Sequence, residues 1–397
     1  MSYWKYLKQR KVFRWYLILL PILWLAIILS YGWWDHTNVI ADYWAIILWL
    51  LQSALVFFMI TMSGVFMIRM YRLHIAKPNT QALPDHLHLI LLSIYNEPIA
   101  VIERSLDSIL SQSLSAKKHV VIVLGIEQKR GDFVAVKQYF LNRYADCFRF
   151  FYVTEHPYGL SGEIPGKCSN ERWSAIFADQ QLKKDCPQIS TADIIMTTMD
   201  SDTLFHAKML ETLSVDYYKQ DGDKRHEIIW QAGQFFNWDL AKRPFFTRIT
   251  ALYRTIWMVG FNIPLSVNSM AVYSSSFKLC KKNDYFCASY QMEDMYYCVS
   301  CMGTTKGRLK IRPIYLPLLC GPTSGDNLKE EIKEWAIQGR RWSIGAFEIF
   351  HVIVANVKKL GIFKTLRYLG KFFMMYAAFQ CVLALVTLLS FPFWAMV

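Results

Sequence analysis

Ile194-Ile195-Met196-Thr197-Thr198-Met199-Asp200-Ser201-Asp202 is the stretch on which the fold turns. A run suited to burial passes directly into two carboxylates one residue apart. Such a run, bounded by a polar turn, fits a parallel strand covered on both faces. The same pattern recurs upstream. Leu87 to Ile94 is nearly all apolar, and Ile99 to Ser113 has helical spacing at Ile102, Leu106, Ile109 and Leu110. His119 to Ile126 is a second apolar run, Asp132 to Tyr144 a second helix, and Phe148 to Val153 a third strand. A Gly/Pro-rich loop and another helix then lead to Ile194. Strands alternating with helices predict an α/β, Rossmann-like fold with a mostly parallel sheet and right-handed crossovers. In such sheets ligands bind at the carboxyl ends of the strands. Asn96-Glu97, Glu127 and Asp200-Ser201-Asp202 all fall there.

The flanks read differently. Hydrophobic residues make up 54% of the 397 and aromatics 16%, and the excess is concentrated in Trp15 to Trp34, Tyr43 to Ile68 and Phe372 to Val397, none of which holds a charge. Each can cross a bilayer core of about 30 Å at about 1.5 Å per residue. Lys5, Lys8, Arg10, Lys11 and Arg14 precede the first span, Asp35 and Asp42 lie between the first two, and Arg69, Arg72 and Lys77 follow the second. The positive-inside rule then puts the N-terminus and the region after Ile68 in the cytosol. The first run is too long for a signal h-region and no small-residue cleavage site follows, so it reads as a retained span. The expected organisation is two N-terminal spans in residues 1–77 (about 15–34 and 43–68), a cytosolic domain over 78–345, and an interfacial helix and third span over 346–397 (about 372–396). This describes a multi-pass protein of a plasma or inner membrane, in contact with its lipids.

Net charge is 44 − 31 = +13. Much of it lies beside the spans, including Lys358, Lys359, Lys364, Arg367 and Lys371, where it orients the chain and attracts anionic lipid. No RNA-binding signature or base-stacking motif accompanies it, so nucleic acid is not an expected partner. Of nine cysteines, all but Cys381 fall in the cytosolic part, where disulfides are disfavoured. Cys298-x-x-Cys301 lacks the second pair of a zinc site and reads as buried thiols. The stretch Ala241 to Pro264, with Phe245, Phe246, Arg248, Tyr253, Arg254 and Trp257, is amphipathic and suits either a membrane interface or a domain helix.

Asp200 and Asp202 are hard oxygen ligands at a strand end, suited to Mg²⁺ or Mn²⁺ with substrate phosphates and water completing the shell. Two further motifs follow in order: Glu293-Asp294, then Gln338-Gly339-Arg340-Arg341-Trp342. The D-x-D, E-D and Q-x-x-R-W set, over about residues 88 to 345, resembles membrane-bound family 2 glycosyltransferases, the group of cellulose, chitin and hyaluronan synthases and of ceramide glucosyltransferases. The resemblance implies a GT-A domain that moves a sugar, with inversion, from a nucleoside diphosphate donor, a UDP-sugar first among them, to a glycan or lipid acceptor. It implies that Asp200 and Asp202 hold the metal and that Asp294 is the catalytic base, with Glu293 orienting the acceptor. Asn96, Glu97, Lys167 and Asp200 would line the nucleotide sugar. Gln338, Arg340, Arg341 and Trp342 would meet the acceptor and the diphosphate, Trp342 as a stacking floor for a sugar. Family members place Asp after the second strand; here Val121 to Ile126 leads to Glu127, and the resemblance leaves two options, Glu127 one step later or a nucleotide base held by backbone. The Asn that usually follows the Gly166-Lys167 pair has Asn170 as its candidate.

Three spans are too few to enclose a polysaccharide channel, because a wet pore needs a ring of helices. Processive synthesis would therefore need a homo-oligomer, a partner membrane subunit, or spans beyond Val397. Addition of one sugar to a lipid of the ceramide type needs none of these. A catalytically inactive scaffold or sugar-nucleotide sensor is the non-enzymatic alternative, and slow hydrolysis of nucleotide sugars separates it from both.

Overall fold

The computed structural model describes residues 39–76, 83–238, 240–321 and 327–373. The expected span at 15–34, and all but the first two residues of that at 372–396, lie outside them. Two compact units divide the chain, Met1–Ile60 with Gly370–Val397, and Thr61–Leu369. Helix α1 covers Val39–Ile75. Within it Ser53–Ile75 is long and apolar enough to cross a membrane, the one such helix among the described residues. Of the expected spans, the described residues thus hold one helix of the right length and composition.

The second unit follows the expected alternation through its first half. Strand β1 (Leu87–Ile94) leads to α2 (Ile99–Leu110), β2 (Val120–Glu127), α3 (Phe133–Tyr144), β3 (Phe150–His156), α4 (Lys167–Asp185) and β4 (Ile194–Met199). Then come β5 (Thr203–Phe205), α5 (Met209–Lys219), β6 (Ile228–Phe235), α6 (Phe245–Trp257), β7 (Tyr273–Ser276), α7 (Phe277–Lys282), α8 (Glu293–Thr304), β8 (Lys310–Cys320), α9 (Leu328–Ala355) and α10 (Ile362–Phe373). The strands form one sheet in the order β3-β2-β1-β4-β7-β6-β8-β5. From β3 to β4 every pairing is parallel. Beyond β4 the sheet is mixed: β7 is antiparallel to both β4 and β6, β6 is parallel to β8, and β5 is antiparallel to β8. The expected mostly parallel sheet is thus corrected to a mixed one. Its reversal comes from β7, which lies directly beside its predecessor β6, as consecutive antiparallel neighbours do.

Burial explains the parallel half. All eight residues of β2 and seven of the eight of β1 are buried, as strands covered by helices on both faces must be. Ile102, Leu106 and Ile109 of α2 are fully buried, each worth about 1.5–3 kcal/mol of apolar transfer. Helix α4 packs through small side chains: Ser169, Asn170, Ser174, Ala175 and Ala178. Gly125 in β2 makes this approach possible. A Cβ there would fall 2.1 Å from Asn170 Oδ1 and 2.3 Å from Ser174 Oγ. Gly125→Ala should therefore destabilise the domain by about 1–3 kcal/mol through overpacking, measured as a lowered denaturation midpoint in detergent.

In the mixed half, the β6–β8 pairing is irregular at Ala232/Gly233, where β8 carries the extra residues Tyr315 and Leu316. Phe66 of α1 packs on that glycine, where a Cβ would fall 2.4 Å from its ring. Phe66 also meets Tyr315 at 5.3 Å between ring centroids. This seats the end of α1 on the sheet, beside Met258, Val259 and Ile263.

Helix α6 has the amphipathic character expected of Ala241 to Pro264. Phe245, Ile249, Leu252, Tyr253 and Ile256 are exposed, and Ala251 and Trp257 are buried. It widens into a buried π-helical turn, Met258–Asn262. Helix α10 exposes Ile362, Phe363 and Leu366 beside Lys364, Arg367 and Lys371.

Candidate active site

The carboxyl edge of the sheet gathers chemistry from several elements. The turn after β4 carries Asp200 and Asp202. It is fixed by the Thr203 N–H donating to Asp200 O at 3.2 Å and by Ser105 Oγ donating to Ser201 O at 2.6 Å. Gly321, just after β8, presses on it: a Cβ there would fall 2.3 Å from Asp202 Oδ2.

Lys167 opens α4 and lies at the centre of the cluster. Its Nζ donates to Asp200 Oδ1 at 2.6 Å and to the Ala271 carbonyl at 3.1 Å, and pairs with Glu293 Oε1 at 2.7 Å. Burial alone would lower this ammonium. Asp200, Glu293 and Glu171 outweigh it and hold the proton on.

Glu293 and Asp294 form the first turn of α8, where acids are favoured by the helix dipole. Asp294 is buried and rigidly held. Oδ2 accepts from Ala271 N–H at 2.9 Å and Oδ1 from Met295 N–H at 2.7 Å. Burial, then the charge of Glu293, pushes its carboxyl up to about 7, against the two amides and Lys167. A carboxyl that titrates there is suited to taking a proton at neutral pH.

The two aspartates of the D-x-D differ. Burial raises Asp200, but Lys167, Arg341 and Arg254 bring it below its ordinary value. Its side chain keeps 38% of its surface open. Asp202 is pushed up to about 7 by burial, then by the charge of Asp200, with Glu97 adding to it. Two hard oxygen donors one residue apart suit a Mg²⁺ or Mn²⁺ ion, and Lys167 occupies Asp200 Oδ1. Among the described residues no group of three or more His, Cys, Asp or Glu side chains converges as a metal cluster.

Helix α9 supplies Gln338, Arg340, Arg341 and Trp342. It docks beside the start of α8 because residue 345 is glycine: a Cβ there would fall 2.1 Å from Met292 Cγ. Glu348 accepts from the Gln291 N–H at 3.2 Å, which ties α9 to the loop before Glu293. Trp342 is half-buried. Trp335 meets it edge-on at 5.6 Å, and the Arg254 guanidinium lies 5.1 Å from its ring centre. That guanidinium also sits 3.7 Å from the Phe236 ring centre. Burial brings Arg254 down to about 10, against the pull of Asp202 and Asp200.

Asp200, Asp202, Lys167, Glu293, Asp294, Arg341 and Trp342 are thus brought to one neighbourhood by contact or by charge. Asn96 and Arg340 are exposed. Among the described residues no hydrogen bond or ion pair joins either to the carboxylates. Glu97 accepts from Tyr95 N–H at 2.6 Å, and its backbone carbonyl from Arg130 at 3.1 Å. Glu127 ends β2 but faces His156 Nδ1 at 3.1 Å, whose Nε2 meets Glu163 at 3.0 Å. Burial lowers the His156 imidazole, yet the two glutamates raise it overall. Asn170 packs against Gly125, donating to its carbonyl at 3.1 Å, and is fully enclosed. Cys280, Cys298 and Cys301 are buried thiols.

Three participants carried no assignment from sequence. Arg254 lay within a stretch legible only as amphipathic. His156 gave no local signal. Glu171, mid-helix and four residues after Lys167, reads as a solvated acid but is wholly buried.

No family model and no curated protein matches the chain. Solved structures are similar in part. One is the mannosyltransferase PcManGT from Pyrobaculum calidifontis in complex with GDP-Man and Mn²⁺, at 14% identity over 86% of this chain and 92% of that chain, with a TM-score of 0.41. A second is S. aureus TarS 1-349 in complex with UDP, at 12% identity over 73% of this chain and 72% of that chain, TM-score 0.43. A third is GalNAc-T7 with UDP, GalNAc and Mn²⁺, at 9% identity over 64% of this chain and 48% of that chain, TM-score 0.40.

Proposed function

We propose that this chain is a membrane-bound, metal-dependent, inverting glycosyltransferase of the family 2 type, using a nucleoside diphosphate sugar. The observation that carries the reading is the convergence of Asp200, Asp202, Lys167, Glu293 and Asp294 at the carboxyl edge of one sheet, within reach of Arg341. Transfer with inversion needs one carboxylate beside the acceptor hydroxyl and positive charge beside the departing diphosphate. Asp294 is the base. Its two backbone N–H donors fix its orientation, and its raised pKa suits it to accept a proton near pH 7. Asp200 and Asp202 would hold the Mg²⁺ or Mn²⁺, which neutralises diphosphate charge when bound. Lys167, Arg341 and Arg254 contribute fixed positive charge. Glu293 positions Lys167, and Trp342 offers an indole face to the acceptor.

Membrane attachment is part of the proposal. Ser53–Ile75 has the length and composition of a span. The exposed apolar faces of α6 and α10 suit the interface between headgroups and cytosol. A single addition to a lipid is favoured over a polymer by α6: the helix with that apolar face also delivers Arg254 to the aspartates. Acceptors arriving along the membrane surface would meet the site there.

The test is purified protein in lipid nanodiscs with a panel of nucleotide sugars and Mn²⁺, products sized by mass. The expected result is chelator-sensitive release of nucleoside diphosphate and one added sugar on a lipid. A ladder of masses would replace the lipid reading with a polymer one. No turnover and no binding of any donor would overturn the enzyme.

A further inference from the structure

Lys167 has more carboxyl groups around it than one ammonium needs, and burial pushes the Glu171 carboxyl well up. Asp200 and Glu293 hold it at 2.6 and 2.7 Å. Glu171 stands one helical turn on, its Oε1 3.6 Å from Nζ, beyond hydrogen-bond reach. It is fully buried, and neither carboxylate oxygen has a hydrogen-bond partner. Buried polar groups in native folds are nearly always partnered, so an idle carboxyl in a catalytic cleft calls for a role. The i,i+4 spacing puts both side chains on one face of α4, so a rotamer change alone can bring Nζ onto it.

Asp200 faces the complementary problem. Lys167 occupies its Oδ1, and the divalent cation proposed above needs the same carboxylate. An ammonium and a divalent cation on one carboxylate repel strongly inside a protein. One of them has to leave, and the lysine has somewhere to go.

We propose that Glu171 is the second seat of the Lys167 ammonium: when a divalent cation engages Asp200, Lys167 moves from Asp200 to Glu171, and Glu171 thereby sets the affinity for the cation. This rests on the metal reading of Asp200 and Asp202. The arriving ammonium gives Glu171 the partner its buried site lacks. In the ligand-free protein Lys167 neutralises Asp200 where the metal would. Glu171 is a positioning residue and does not touch substrate.

The experiment is a double-mutant cycle on Mn²⁺ binding, followed by electron paramagnetic resonance on the purified full chain without donor or acceptor. Glu171→Gln should weaken Mn²⁺ about tenfold, in the ordinary range of site-to-site coupling. Lys167→Met should tighten it, because the competitor is gone. In the Lys167→Met background, Glu171→Gln should change the dissociation constant less than twofold, which is non-additivity of the kind the cycle detects. An equal loss in both backgrounds would overturn the proposal, since Glu171 would then act through its field alone. No loss in the Lys167 protein would overturn it too. Should the Gln variant not fold, Glu171→Asp carries the same test: its shorter side chain should weaken Mn²⁺ only where Lys167 is present. If the wild type binds no Mn²⁺, or binding survives Asp202→Asn, the metal reading falls and takes this proposal with it.

Discussion

Asp294→Asn lowers turnover by about 10²- to 10⁴-fold, the usual worth of a general base, while nucleoside diphosphate binding stays near the wild-type value. Rate and binding separate because the residue is held by the Ala271 and Met295 amides and has no hydrogen bond to Asp200 or Asp202. The pH profile adds a second signature. The carboxyl is pushed up to about 7, so the wild-type enzyme is protonated and idle below that pH. Turnover should rise about tenfold per pH unit below 7 and level off above it. That limb should vanish in the variant. An asparagine amide would face one of the two backbone donors with its own N–H, so a loss of about 1–3 kcal/mol in stability accompanies the kinetic effect. Thermal melts run beside the assay keep the two apart. A parallel fall in binding and rate would make Asp294 a donor ligand or a structural residue and remove the base assignment.

Asp202→Asn should abolish metal-dependent transfer and yet stabilise the ligand-free protein. The carboxyl is raised to about 7 from an unfolded value near 3.9. Between these values the native state holds a proton that the unfolded state has released, so stability falls as pH rises through about 4 to 7. The asparagine variant escapes this loss. Its advantage is greatest above pH 7, has an upper bound of roughly 4 kcal/mol at about 1.4 kcal/mol per pKa unit, and shrinks toward nothing near pH 4. Differential scanning fluorimetry of both proteins across that range measures it. Mn²⁺ should raise the wild-type melting temperature and leave that of the variant unchanged. Equal melting curves at every pH, together with unchanged turnover, would rule out Asp202 as a charged ligand.

The parallel half of the sheet could be read from sequence because β1, β2 and β4 are apolar on both faces, and their burial is local information. The mixed half could not. Strand β7 is Tyr273-Ser274-Ser275-Ser276, all buried, with two of its hydroxyls partnered by distant groups: Ser274 with Thr197 and Ser275 with Tyr297. Strand β6 buries Gln231, whose Oε1 accepts from Met270 N–H at 2.8 Å. Polar residues paired across many positions look like loop until the partners are known. The chemistry divided in the same way. Asp200, Asp202, Glu293, Asp294, Arg341 and Trp342 were legible because their motifs are short and ordered. Glu127 stands at a strand end, as the alternation of strands and helices implies, and nothing local marks the histidine that meets it. Glu171 was missed because no local pattern marks a buried acid on a helix of mixed character.

Under the proposed transfer reaction, Gly345 has a consequence for changing which acceptors the site takes. With no side chain there, Met292 sets how near α9 comes to the start of α8. The gap between Asp294 and the Gln338–Trp342 platform is therefore a dimension of the scaffold, indifferent to which side chains decorate the platform. Substitutions at Gln338 or Trp342 can alter the shape of an acceptor pocket and leave the proton acceptor where it is. A substituent at 345 would move the platform as a block and shift every acceptor hydroxyl away from the carboxylate by the same amount. Libraries aimed at new acceptors should vary the former positions and hold the latter fixed.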